Sequence, residues 1–135
     1  MDQLEWEKET YVISDEKDKI DLEKVHQLLS QTYWAKDRTL TTIRKSMKHS
    51  VVFGVYDKNQ QIGFGRVVSD YTVFSWLLDV VIDPSYQGKE IGSWLVKCIL
   101  NHPELKETKF ALATKDAHAF YEKFNFETDT CMRRK

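Results

Sequence analysis

A chain of 135 residues, 41% hydrophobic and 30% charged, is long enough to bury a core and has the composition of an ordinary soluble domain. A formal net charge of −1 excludes a field that would steer the whole molecule to nucleic acid or an anionic membrane. No apolar run approaches the roughly 20 residues of a membrane span, and the acidic start Met1-Asp2-Gln3-Leu4-Glu5 lacks the apolar stretch of a secretory signal. Cys98 and Cys131 stand in no metal or redox spacing. The expectation is one cytoplasmic domain over residues 1–135, in a reducing compartment, with no nucleic-acid or membrane partner.

Residues 1–10 are polar, and read as a tail or as an edge strand beside Tyr11-Val12-Ile13. Leu22, Val25, Leu28 and Leu29 recur at helical spacing after Asp21, a suitable N-cap. A linker over residues 31–38 carries two aromatics and mixed charge. A second helix is predicted from Thr39, with Leu40, Ile43 and Met47 facing inward. Strands follow at 51–56, 61–69 and 72–82, joined by short turns and therefore forming an antiparallel meander that Pro84 stops. The most regular helix runs from about Gly88 to Asn101, with Ile91, Trp94, Leu95, Cys98 and Ile99 in one stripe. A short strand at 110–113, a helix carrying Ala117, Phe120, Tyr121 and Phe124, and a last strand near 128–133 complete the order. Asn125 falls where a helix C′ residue that tolerates the left-handed conformation belongs. A strand–helix–strand crossover after a meander makes the sheet mixed. The fold class is α/β of the α+β type: a mostly antiparallel sheet of about six to seven strands flanked by four helices.

Gln87-Gly88-Lys89-Glu90-Ile91-Gly92 follows a strand and opens the best helix in the chain. Backbone N–H groups at a helix N-terminus, together with the helix dipole, favour an anion such as a phosphate. Taken alone the segment is equally a tight turn into a closely packed helix. It is neither a P-loop nor a dinucleotide fingerprint, because both lack a match here.

The segment from Asp83 to Gly92, followed by Ala119-Phe120-Tyr121-Glu122-Lys123-Phe124-Asn125-Phe126, resembles the two signature segments of the GNAT-type N-acetyltransferase superfamily. The first is similar to its Gln/Arg-x-x-Gly-x-Gly/Ala loop and the second to its Phe-Tyr-x-x-x-Gly-Phe helix end. The likeness covers most of the chain and is weakest over residues 1–50. It implies acetyl-CoA as co-substrate and no metal. The backbone of Val80, Val81 and Ile82 would hold the pantetheine arm as an added strand does. The loop of Gln87, Gly88, Lys89, Glu90, Ile91, Gly92 and Ser93 would hold the pyrophosphate. Thr114, where many relatives carry an asparagine, and Phe120 would complete the cofactor site. Tyr121 matches the tyrosine that protonates the leaving thiolate, and core packing beside Phe120 and Phe124 is its alternative.

Two positions depart from the family pattern. Glu90 replaces the middle loop glycine, setting a carboxylate near the expected pyrophosphate and a Cβ where the backbone benefits from none. Asn125 replaces the glycine of the second segment, a milder change.

Chemically, the acceptor amine must be neutral to attack, and the departing thiolate benefits from an acid such as a tyrosine of pKa about 10. A backbone N–H near Val81 could polarise the carbonyl. Asp79, a carboxylate in an apolar strand, is a candidate general base, with a strand-end structural role or a solvent path as rivals. Tyr33 and Trp34, with Lys36, Asp37 and Arg38, occupy the linker that lines the acceptor site in the superfamily, and Phe74 and Trp76 face it. His26, His49, His102 and His118 are expected at the surface. The expected activity is direct acetyl transfer to a primary amine of a small molecule or peptide. A non-catalytic acyl-CoA-binding or sensing module and a small protein-interaction domain remain the other readings. Exposed strand edges leave room for a homodimer.

Overall fold

The computed structural model describes residues 3–134. Six strands lie side by side in chain order: β1 (Glu5–Lys8), β2 (Tyr11–Ser14), β3 (Val51–Asp57), β4 (Gln60–Ser69), β5 (Phe74–Ile82) and β6 (Lys109–Ala111). Each neighbouring pair is antiparallel except β5 with β6, which is parallel, so the sheet is mixed and mostly antiparallel. Four helices flank it: α1 (Leu22–Ser30), α2 (Leu40–Met47), α3 (Ile91–Leu100) and α4 (His118–Glu122).

Side-chain caps open the first two helices, the one at Asp21 as expected. The Asp21 carboxylate accepts from Lys24 N at 3.1 Å, and the Thr39 hydroxyl accepts from Thr42 N at 3.2 Å. Strand β3 is buried almost throughout because both faces of the sheet are covered. Phe53 and Val55 pack with Leu95 and Ile99 of α3, while Val52 packs with Val25, Leu29 and Ile43 of α1 and α2.

Of the tail and the edge strand considered for residues 1–10, residues 5–8 form the edge strand beside β2. Several expectations are corrected. Strand β5 begins at Phe74 because the Asp70 carboxylate accepts the N–H groups of Thr72, Val73 and Phe74 at 2.8–3.0 Å and holds them in a turn. Helix α3 begins at Ile91, three residues later than expected. No strand forms at 128–133. That segment is exposed throughout and lacks the alternating apolar face that would bury it. His102 is 1% exposed instead of lying at the surface: its Nε2 meets Asp15 Oδ2 at 2.8 Å, while Nδ1 accepts from Glu104 N.

Candidate active site

Strand β6 pairs with β5 only over Phe74, Ser75 and Trp76. Beyond Trp76 the outer edge of β5 has no strand partner among the described residues, and a cleft of about 990 Å³ opens there. One wall is β5 from Leu77 to Ile82. The other is the chain after β6, through Leu112, Ala113 and Thr114, together with Phe120 and Tyr121 of α4. The α1–α2 linker closes one end and the N-terminus of α3 the other.

The turn into α3 is fixed from three sides. Asp83 N donates to Ile62 O at 2.7 Å, the Asp83 carboxylate pairs with Lys24 of α1 at 2.6 Å, and Tyr86 Oη donates to Asp57 at the end of β3 at 2.8 Å. The Lys24 ammonium, and then the Ser85 hydroxyl and N–H, hold the Asp83 carboxyl down to a pKa of about 2. Gly88 then turns at φ 81°, a conformation glycine adopts freely. Glu90 follows in the left-handed region, at φ 62° and ψ 18°, as the N-cap of α3. Unlike α1 and α2, helix α3 receives no side-chain cap, so its first N–H groups are left at the cleft.

Gly92, in the first turn of α3, also lines the cleft. A Cβ added there would lie 3.7 Å from Ile82 Cγ1 and 3.8 Å from Phe120 Cζ, an ordinary contact distance. The protein's own packing therefore has room for a Cβ at 92, in keeping with the Gly/Ala alternative at this position of the loop pattern. Lys123 stands nearby, its Nζ 3.5 Å from Ser93 Oγ and 4.9 Å from the Phe120 ring centroid.

At the other end, strand β5 bulges. Its register against β4 passes from Arg66–Leu78 to Phe64–Val81, so β5 carries one extra residue. Leu77 and Val80 consequently pack into the same core although they are three positions apart. Asp79, at φ 58°, carries the irregularity. The bulge swings its carboxylate onto the face that Arg66 occupies. Asp79 Oδ2 accepts from Arg66 Nε at 2.9 Å and from Arg38 Nη1 at 2.7 Å, and Oδ1 accepts from Trp34 Nε1 at 3.0 Å. Both carboxylate oxygens are thus engaged, and the Asp79 side chain is 1% exposed.

The cleft brings together nearly all the residues the sequence singled out: Tyr33, Trp34, Asp79, Val80, Val81, Ile82, Gln87, Gly88, Glu90, Ile91, Gly92, Ser93, Thr114, Phe120 and Tyr121 all line it. Lys89 is exposed and lies outside the wall. Phe74 is likewise exposed and outside it, while Trp76 lines it. The Thr114 hydroxyl is engaged locally, accepting from Ala117 N at 3.0 Å. Tyr33 Oη accepts from Lys115 N at 2.9 Å, tying the linker to the loop before α4. Burial pushes the Tyr121 phenol up to about 12, with a smaller contribution from Tyr33.

The sequence reading missed Arg66, Lys123 and Arg133, whose guanidinium lies 5.3 Å from the Trp76 ring centroid. For Arg66 a signal existed. It and Asp79 are lone charges in consecutive apolar strands, and a buried charge needs a partner. Among the described residues no group of three or more His, Cys, Asp or Glu side chains could hold a metal ion, and no helix is long and apolar enough to cross a membrane.

The family profile of the acetyltransferase (GNAT) domain matches residues 48–128. An uncharacterized N-acetyltransferase of Porphyra purpurea is 30% identical over 117 residues, spanning 82% of this chain and 67% of the relative. A crystal structure from Xanthomonas campestris, described as belonging to the GNAT family, has a TM-score of 0.88 at 34% identity, over 93% of this chain and 92% of that one. A GNAT family acetyltransferase from Elizabethkingia anophelis, solved with acetyl-CoA bound, shares the fold at a TM-score of 0.70 and 17% identity, over 90% of this chain and 80% of that one.

Proposed function

This chain belongs to the GNAT acetyltransferase family and is an acetyltransferase, and on that footing we propose that it transfers the acetyl group of acetyl-CoA directly to a primary amine while both are bound. The observation that carries this reading is the uncapped N-terminus of α3 opening onto a cleft that Tyr121 also lines. The free N–H groups of the α3 turn receive the pyrophosphate, and Lys123 adds positive charge beside them. Gly92 leaves room for that approach, as the uncrowded Cβ position there supports. The unpaired edge of β5 at Val80, Val81 and Ile82 receives the pantetheine arm, with Thr114 and Phe120 on the facing wall.

Acetyl-CoA supplies an acyl group already activated as a thioester. A backbone N–H near Val81 polarises the acyl carbonyl. Tyr121 holds the proton that the departing sulfur takes. With a pKa near 12, the phenol stays protonated as pH rises from about 7 to about 10, and this proton is lost only beyond that range. Asp79 acts as a positioning residue instead of a general base, because three donors already occupy its oxygens. The acceptor amine gives up its proton to solvent.

Thiol release followed over a panel of amines tests the proposal. Tyr121→Phe is expected to lower kcat roughly a hundredfold or more while acetyl-CoA binding persists. A variant with full kcat would remove Tyr121 from the acid role.

A further inference from the structure

Asp79 answers two guanidiniums with one carboxylate, so the cluster at the linker end of the cleft carries one positive charge in excess. The two cations are not equivalent. Arg66 is 9% exposed, and beyond Asp79 its Nη1 donates to Ser50 Oγ at 3.0 Å. Arg38 spends only Nη1 on Asp79, and its remaining N–H groups have no acceptor among the described residues. Its side chain is 22% exposed, and it lines the cleft. What the cleft meets at this end is therefore the free part of a guanidinium, held in place by a buried carboxylate.

The neighbouring charges do not cancel it. Arg133 stacks on Trp76 on the same wall. Asp116 lines the cleft but follows Lys115, whose ammonium lies 5.6 Å from the Tyr33 ring centroid. Lys36 and Asp37 are exposed and opposite in sign. Glu90 and Lys123 belong to the α3 end.

We propose that the acceptor amine carries an oxyanion, a carboxylate or phosphate, that the free N–H groups of Arg38 grip. This deepens the acetyltransferase reading and rests on it. A guanidinium fork matches either oxyanion with two parallel hydrogen bonds, whereas a neutral amide offers it one oxygen and no charge. The positive wall also disfavours the ammonium form of the acceptor, which helps produce the neutral nucleophile in a cleft where Asp79 is already engaged. Tyr33, Trp34 and Trp76 supply the apolar surface against which the rest of the acceptor lies.

The test compares matched acceptors: glycine with glycinamide, phenylalanine with phenylalaninamide, and O-phosphoethanolamine with ethanolamine. Thiol release gives kcat/KM for each, and acetyl-CoA binding is measured separately by calorimetry. The charged member of at least one pair is expected to be preferred by about tenfold or more, the size of one charge-assisted contact. Whether the carboxylates or the phosphate show it identifies the oxyanion. Arg38→Met should bring that ratio close to one, and Arg38→Lys should keep part of it; thermal unfolding of both variants checks that they are folded. Equal or better use of the neutral partners, an unchanged ratio in Arg38→Met, or no transfer to any charged acceptor while acetyl-CoA binds would each overturn the inference. Absence of acetyl-CoA binding would instead overturn the underlying reading, and this one with it.

Discussion

Glu90 occupies the left-handed region, which costs a side chain bearing a Cβ on the order of 1 kcal/mol. It also stands as an uncapping N-cap, exposed and on the cleft wall, where a carboxylate opposes an approaching phosphate. Glu90→Gly relieves the backbone but makes the unfolded chain more flexible, so the net gain should be a few tenths of a kcal/mol to about 1 kcal/mol, raising Tm by roughly 1–3 °C. The same variant should bind acetyl-CoA more tightly. Glu90→Gln separates the two effects: it removes the charge, including its small favourable interaction with the helix dipole, and keeps the strained conformation, so affinity should rise with no gain in Tm. Scanning calorimetry and a binding titration of the pair check this, and a lower Tm in Glu90→Gly would show that the left-handed turn is not the cost assigned to it. Glu90 was recognisable in the sequence as the odd residue of its loop, but its sign of φ was not.

The turn between β5 and α3 is only as well placed as its anchors. Asp83 has its pKa depressed to about 2, so the stability it brings is fully present above the unfolded value of about 4 and is lost as pH falls through about 2. Because both side chains are 20% exposed, the Lys24 pair is worth only about 1 kcal/mol. Asp83→Asn should therefore be less stable than the parent by about that amount at neutral pH, with the gap closing between about pH 4 and about pH 2. Urea unfolding at stepped pH reads this directly, and a gap that widened on acidification would contradict it. At this scale the helices were legible because their caps and apolar periods are local. Asp21 and Asn125, the latter at φ 70°, behave as their chemistry suggested, and Thr39 proves to cap the helix expected to start there. The bulge was not legible. A positive φ at Asp79 leaves no periodic trace, and its partners lie 13, 41 and 45 residues away, so only the strand register and the helix packing bring them together. His102 misled for the same reason, its partner Asp15 being 87 residues distant.

For the molecule as a whole, the proposed function rests on where the sheet stops pairing. A parallel strand β6 of three residues leaves most of β5 with an open edge, and that edge, the α3 turn and α4 form one cleft. The element order and the two glycine- and tyrosine-bearing segments pointed to this architecture without any long-range information. The cleft's charge at the linker end had to come from the structure, since Arg38, Arg66 and Asp79 belong to three separate elements. Calorimetric titration of acetyl-CoA into the parent protein and Lys123→Glu tests the central claim most directly. The parent should bind one equivalent, and Lys123→Glu should fold with an undiminished Tm, since the side chain is exposed, yet bind more weakly because the charge beside Ser93 of α3 is reversed. No heat of binding in the parent at millimolar acetyl-CoA, or equal affinity in a folded Lys123→Glu, would contradict the assignment of this cleft to the cofactor.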